Sequence, residues 1–95
     1  MRIIKKASLI AFWEIHNSAK APLTSWYKIT LASQFKDFND LKKSFGQVDY
    51  VESRYIFNIG SGYRLVVAIH FNTQKVFIRD VLTHAEYDRG KWKNS

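Results

Sequence analysis

Residues 63–88 constrain the fold more than any other part of the chain, because two strand-like segments lie close together there. Residues 63–71 and 76–82 are rich in β-branched and aromatic side chains, and only the polar residues 72–75 separate them, a pattern that predicts a β-hairpin. Side chains alternate between the two faces of a strand. In the first strand one face is apolar except for a single hydroxyl and is predicted to face the core: Tyr63, Leu65, Val67, Ile69 and Phe71.

Two arginines, Arg64 and Arg79, lie within these strands and are predicted to share the other face. A turn with an even number of residues places Phe71 opposite Val76 and Ala68 opposite Arg79, so that both guanidinium groups point the same way. A three-residue turn would flip the second strand and separate them. We favour the even-numbered turn because it brings the two guanidinium groups onto one surface.

The rest of the chain predicts helices that cover this hairpin. The expected elements are an edge strand at 1–4, helices at 6–17 and 22–33, a short helical segment at 38–45 after an Asp37 N-cap, and strands at 54–59, 63–71 and 76–82. Residues 47–52 show no clear pattern, Thr83 is expected to cap a last helical turn, and the basic tail 89–95 is expected to be mobile. The order β-α-α-β-β-β predicts an α+β fold, a single two-layer domain at 1–95 in which helices cover one face of an antiparallel sheet and leave the other open.

The chain is strongly basic, with 15 Lys and Arg against 8 Asp and Glu and a net charge of +7. This balance favours a polyanion or an acidic protein as partner. There is no cysteine, and the histidines His16, His70 and His84 lack metal-ligand spacing, so we expect neither a metal nor another cofactor. His16 lies on the apolar stripe of the first helix and is expected to be structural. No window resembles a secretion signal or a membrane span, which predicts a cytoplasmic protein.

Arginines inside strands are costly unless they are paired or reach solvent. One explanation is structural: Arg64 would pair with Glu52 or Asp80, and Arg79 with Glu86, at a gain of only ~0–1 kcal/mol for each surface pair. The other is an anion site, because guanidinium binds phosphate through two parallel hydrogen bonds and stays charged at any working pH.

An anion site of this kind suits RNA cleavage by the 2′-hydroxyl, during which negative charge builds on the phosphate oxygens. One proton must leave the 2′-hydroxyl and another must reach the leaving 5′ oxygen. His84 directly follows the second strand, and histidine ordinarily titrates near neutrality, so it suits either transfer. Tyr87 can donate a hydrogen bond or stack on a base. This chemistry requires no metal ion.

Three segments resemble the HigB toxins of bacterial type II toxin–antitoxin systems, within the broader RelE-like group. They are 54–60, 63–68 and 77–88, and the last is the most specific, with an Ile-Arg-Asp-Val strand followed by Thr-His-Ala-Glu-Tyr-Asp. The resemblance implies a RelE-like fold and a metal-independent endonuclease that cuts mRNA in the ribosomal A site. It also implies a HigA-type antitoxin with a helix-turn-helix domain, which would neutralise the toxin and, in complex with it, bind operator DNA and repress their operon.

The resemblance also implies roles for individual residues. The candidate catalytic residues are Arg64 for phosphate positioning, Arg79 for transition-state charge, His84 for proton transfer, and Tyr87 for stacking or hydrogen bonding. The identity of the general base stays open, with His70 and Asp88 as second-rank candidates. Contacts to the RNA backbone, which weaken as salt rises, are expected from Arg54, Lys75, Lys91 and Lys93.

A non-catalytic module of the same fold is the alternative to a nuclease. Such a module would hold RNA or an acidic protein by charge alone, and the net charge of +7 would explain that binding. The two alternatives differ in outcome, because only the nuclease would arrest growth and cleave RNA when it is induced.

Overall fold

The computed structural model describes residues 1–94 and confirms the α+β class, with helices packed on a five-stranded sheet. The strands are β1 (Arg2–Ile4), β2 (Asp49–Val51), β3 (Arg54–Ile59), β4 (Tyr63–His70) and β5 (Lys75–Thr83). The helices are α1 (Lys6–Ile15), α2 (Lys20–Ala32), α3 (Phe38–Ser44) and α4 (His84–Arg89), with 3₁₀ turns at Asn17–Ala19 and Lys91–Asn94. The strand order is β1-β5-β4-β3-β2, in which β1 runs parallel to β5 and the other neighbours are antiparallel.

Local sequence signals account for the helix boundaries. The Asp37 carboxylate accepts a hydrogen bond from the Asp40 backbone N–H at 2.8 Å, which confirms the predicted N-cap of α3. Pro22 lies in the first turn of α2 rather than at its first position, and its missing N–H costs no helical hydrogen bond there. Within residues 1–94, every helix is too short or too polar to cross a lipid bilayer.

The main core lies between the helices and one face of the sheet. The apolar face predicted for β4 is confirmed, because Leu65 and Val67 are fully buried. The helices and the neighbouring strands contribute the other buried side chains of this core, among them Leu9, Leu23, Trp26, Leu41, Phe57, Ile59, Val76 and Ile78.

The hairpin of β4 and β5 has the expected even-numbered turn but not the expected register. The turn has four residues and includes Phe71, which was expected to lie in the strand opposite Val76. Ala68 pairs with Phe77 instead of Arg79. The predicted pairing also implies a four-residue turn, at 72–75, and the observed turn is displaced by one residue because β4 ends at His70.

A β-bulge interrupts the same pair of strands. Val67 pairs with Ile78, whereas the adjacent Val66 pairs with Asp80. Arg79 is therefore an extra residue in β5 with no partner of its own in the ladder. A bulge of this kind places two residues opposite one and interrupts the strict alternation of faces, so the pairing register differs on its two sides.

The sheet face opposite the main core was expected to be open. It is instead partly covered by the end of the chain. Trp92, predicted to lie in a mobile tail, is only 4% exposed and packs against Ile56 and Val66. Val51, Leu82 and Tyr87 pack around this second cluster. The physical reason is that Ile56 and Val66 form an apolar centre on this face, and an indole buries a large apolar area against it.

Candidate active site

Arg79 presents an exposed guanidinium at the bulge. Arg79 and Ala68 border the same shallow depression of about 210 Å³, and alternation along β4 puts Arg64 on the face that carries Ala68. The Arg79 side chain forms no hydrogen bond or ion pair with any other residue in the range 1–94. β1 pairs only with the first residues of β5, and beside Arg79 the edge of the sheet is flanked by α1, which shares a second shallow depression with Arg79.

Arg64 and Tyr87 are in contact. The guanidinium carbon of Arg64 lies 5.8 Å from the centre of the Tyr87 ring, and its Nη1 donates to the Tyr63 carbonyl oxygen at 2.9 Å. A cation over an aromatic ring at this distance is attracted by about 0.5–1 kcal/mol at exposed sites and more where water is excluded. Arg64 is half-buried, so its guanidinium is held in a defined position rather than free in solvent.

His84 begins α4 at the same end of the sheet as Arg64. Its backbone N–H donates to the Gly62 carbonyl at 2.8 Å, which ties the helix to the turn before β4. Its imidazole is 56% exposed, and Nδ1 lies 3.5 Å from a carboxylate oxygen of Asp88 one helical turn later. The side chain is therefore accessible to a substrate and has a carboxylate that can orient it.

A capping box fixes the start of α4. The Thr83 hydroxyl accepts from the Glu86 backbone N–H at 3.2 Å, and the Glu86 carboxylate accepts from the Thr83 backbone N–H at 2.9 Å. The hydrogen bond from the Thr83 backbone lowers the pKa of Glu86, with smaller contributions from the Thr83 hydroxyl and from His16 and Arg89. Both bonds act at the first turn of the helix, so they fix the orientation of His84.

The four candidate catalytic residues thus lie on one region of the molecule without forming a single tight cluster. Arg64 pairs with Leu82, and Arg79 precedes Leu82 by three residues, so the Cα positions of the two arginines are roughly 10 Å apart along the strands. Within residues 1–94, Arg64 forms no ion pair with Glu52, and Arg79 forms none with Glu86.

His70 and Lys75 lie at the opposite end of the sheet. They pair with each other beside the hairpin turn, and Arg2 of β1 pairs with Lys75. His70 is six residues from Arg64 along β4, roughly 20 Å at the rise of an extended strand. The structure therefore does not bring His70 or Lys75 to the other candidates, whereas Asp88 directly faces His84.

Arg54 is bound to the C-terminal segment. Its Nη1 donates to the carbonyl oxygens of Glu52 at 3.3 Å and Lys93 at 3.4 Å. Lys91 and Lys93 are exposed on that segment. A groove of about 310 Å³ with both signs of charge runs beside it and is lined by Asp80, Leu82, Glu86, Arg89, Lys91 and Trp92. No group of three or more His, Asp or Glu side chains within residues 1–94 converges in a way that could hold a metal ion.

Trp92 contacts the site and was missed from the sequence. Its ring stacks on that of Tyr87 with a centroid distance of 5.2 Å and an interplanar angle of 8°, and its Nε1 donates to the Tyr87 carbonyl oxygen at 3.0 Å. One signal could have found it. A tryptophan among Arg, Gly, Lys and Asn is too large an apolar side chain to be expected in a segment that stays in solvent.

Comparison with known proteins agrees with this architecture. The sequence profile of the HigB toxins, described as the RelE-like toxic component of a toxin–antitoxin system, matches residues 19–90. The chain belongs to this family. The matched range contains Arg64, Arg79, His84 and Tyr87, but it ends at Gly90 and excludes Trp92.

Three HigB relatives match nearly the whole chain. The "mRNA interferase toxin HigB" of Escherichia coli strain K12 is 33% identical over 92 residues, which cover 93% of this chain and 88% of the relative. The "mRNA interferase HigB" of Shigella flexneri has the same identity and coverage. A third HigB, from Escherichia coli O6:H1, is 25% identical over 93 residues, or 94% of this chain and 90% of the relative.

Proposed function

We propose that this HigB family member is a toxin that cleaves mRNA on the ribosome without a metal ion. One observation carries the proposal: Arg79 offers an unpaired, exposed guanidinium on the face where Arg64 contacts Tyr87. The name of the relatives, mRNA interferase, supports the same substrate class. Ribosome-bound mRNA is a cytoplasmic substrate, so the toxin would act in the cytoplasm.

The proposed reaction is an attack of the 2′-oxygen on the adjacent phosphorus. The bond from phosphorus to the 5′ oxygen breaks, which leaves a 2′,3′-cyclic phosphate on one product and a 5′-hydroxyl on the other. One proton leaves the 2′-hydroxyl and one reaches the leaving 5′ oxygen. The arginines supply the positive charge that a metal would otherwise provide for the phosphate oxygens.

Each candidate residue has a role that follows from its position. Arg79 is exposed and unpaired, so it can approach a phosphate and stabilise the charge of the transition state, a contribution of ~3–4 kcal/mol for one well-placed donor. Arg64, held over Tyr87, would position the phosphate while the Tyr87 hydroxyl or ring contacts the RNA. His84 would transfer a proton, and Asp88 would orient its imidazole.

Basic residues outside this region would bind the RNA backbone. Lys91 and Lys93 are exposed beside the site, and Lys75 is at the far end of the same face. Arg54 would act mainly through the C-terminal segment that it binds. Binding to ribosomal RNA through such residues should weaken as salt rises, because each neutralised phosphate releases counterions.

The proposed partner is a HigA-type antitoxin with a helix-turn-helix domain. A toxin of this family requires an antitoxin, and an acidic surface would complement the charge of +7. The toxin would reach operator DNA only through that antitoxin, and repression would require the complex.

Induction in bacteria tests the proposal. The protein should arrest growth, and mapping of mRNA 5′ ends should reveal new ends within translated regions. In a purified ribosome complex, mRNA with 2′-deoxynucleotides around the mapped cut should resist cleavage, while the all-ribose mRNA is cut. Growth without arrest and without new 5′ ends would contradict the proposal and favour the non-catalytic module.

A further inference from the structure

Trp92 joins the C-terminal segment to Tyr87 by two separate contacts. The indole ring is nearly parallel to the phenol ring, and the indole N–H donates to the Tyr87 main-chain carbonyl. Trp92 is 4% exposed and rests on Ile56 and Val66 at the centre of the sheet. Its position is therefore fixed by the sheet, and it fixes both the ring and the backbone of Tyr87.

The same Tyr87 ring contacts Arg64. The guanidinium carbon lies 5.8 Å from the ring centre, and the Trp92 ring centre lies 5.2 Å from it. The three side chains form a continuous series in which Tyr87 is the middle member. A displacement of the Tyr87 ring would remove a surface against which the Arg64 guanidinium rests.

Helix α4 depends on this contact for a further reason. It has six residues, fewer than an isolated helix needs to be stable in water. Its first turn is fixed by the capping box of Thr83 and Glu86. At its other end the Tyr87 carbonyl accepts from the N–H of the C-cap Gly90 at 3.1 Å, and Trp92 adds a second donor to the same carbonyl at the end of the helix.

We propose that Trp92 is a positioning residue that holds Tyr87 against Arg64 and thereby makes the segment 90–94 part of the catalytic site. This inference rests on the proposed function. Trp92 touches no substrate in this account and acts through Tyr87 and α4. Arg54 of β3 donates to the Lys93 carbonyl, and this hydrogen bond helps to hold the segment 90–94 beside β3.

Trp92→Leu and Trp92→Phe separate positioning from simple burial. Leucine keeps an apolar contact with Ile56 and Val66 but loses both the ring stack and the N–H donor. Phenylalanine keeps an aromatic ring that can stack on Tyr87 and loses only the donor. Trp26→Phe is the matched control, because Trp26 is 3% exposed in the main core and its N–H has no hydrogen-bond partner within residues 1–94.

Two readouts test the inference, one of them independent of activity. The NMR shifts of the Tyr87 ring report its stack with Trp92, and single-turnover cleavage of ribosome-bound mRNA reports catalysis. We expect Trp92→Leu to move the Tyr87 ring shifts and to lower kcat by about tenfold to a hundredfold, with KM changed by less than about threefold. Trp92→Phe should recover most of that kcat, and Trp26→Phe should change neither readout while the protein is folded.

The outcomes distinguish this inference from the proposed function. Cleavage at the wild-type rate by Trp92→Leu, or Tyr87 ring shifts that do not move, would overturn the positioning role and leave the proposed nuclease intact. A rate for Trp92→Phe as low as that of Trp92→Leu would also overturn it, because the retained ring would then have no effect. Wild-type protein that stacks Trp92 on Tyr87 but cleaves nothing would contradict the proposed function and the positioning role together.

Discussion

Arg79 is the extra residue of a bulge that faces Val66, because Val66 pairs with Asp80 while its neighbour Val67 pairs with Ile78. Arg79 therefore has no pairing partner in the β-ladder, and its side chain is exposed at the edge of the site. Bulges are concentrated near active sites because they aim a side chain that regular pairing would not release. Because Arg79 has no partner in the ladder, removing it should affect the proposed chemistry much more than the stability of the sheet.

Deletion of Arg79 should leave every other pair of β4 and β5 in place. Without it, Ile78 is followed directly by Asp80, so the pairs with Val67 and Val66 become consecutive in a regular ladder. We expect the free energy of unfolding in urea to change by less than about 1 kcal/mol, and cleavage to be lost. Hydrogen exchange that shows loss of protection in β5 would contradict the assigned bulge.

Replacement of His84 by alanine should remove proton transfer without harming the fold. The imidazole is 56% exposed, and only the backbone N–H bonds to Gly62. We expect single-turnover cleavage to slow by about 10²–10⁴-fold with the unfolding midpoint unchanged. His70→Ala is the control, since His70 is also an exposed histidine but lies at the far end of β4. Equal loss in both variants would remove the proton-transfer role of His84.

Glu86 gives the stability of the protein a pH dependence that glutamine should abolish. Its pKa in the folded state is lowered from the ordinary value of 4.5, chiefly by the Thr83 backbone N–H. The folded state therefore gains from the ionised carboxylate above pH 4.5, and this gain is lost as pH falls through the lowered value. Glutamine keeps the capping box but does not titrate.

Urea unfolding of wild type and Glu86→Gln between pH 7 and about pH 3 measures this effect. Wild type should be the more stable at neutral pH, and the difference should shrink as the solution becomes acidic. A difference that grows towards low pH would mean that the protonated carboxyl, not the carboxylate, stabilises α4.

The turn between β2 and β3 contains two strained residues. Glu52 has φ of 53° and Ser53 has φ of 65°, both in the left-handed region that costs side chains other than Gly and Asn about 1 kcal/mol or more each. Replacement of the pair by Asn-Gly should raise the free energy of unfolding by about 1 kcal/mol. Urea unfolding checks this expectation, and an unchanged or lower stability would show that the two residues make compensating contacts.

The sequence was sufficient to predict features that depend on local chemistry. Asp37 caps α3 and Thr83 caps α4, because each offers a side-chain oxygen to an N–H of the first turn. Leu65 and Val67 lie in the core, because apolar alternation over a long strand selects one face. These features require no information from distant parts of the chain.

The features that were missed depend on contacts between distant segments. Strand β2 has only three residues and forms because β3 offers an edge to pair with. The bulge at Arg79 depends on how β4 and β5 meet, which the period of either strand does not encode. The position of Trp92 depends on Ile56 and Val66, which become an exposed apolar patch only once the sheet has formed.

The rate at which Arg79→Ala cleaves ribosome-bound mRNA is the most direct test of the proposed chemistry. Arg2→Ala is the matched control, because Arg2 is also exposed and its loss removes the same charge at the far end of the sheet. We expect Arg79→Ala to cleave about 10²–10³-fold more slowly than wild type, and Arg2→Ala to stay within about threefold of it. Cleavage by folded Arg79→Ala at the rate of Arg2→Ala would contradict the account.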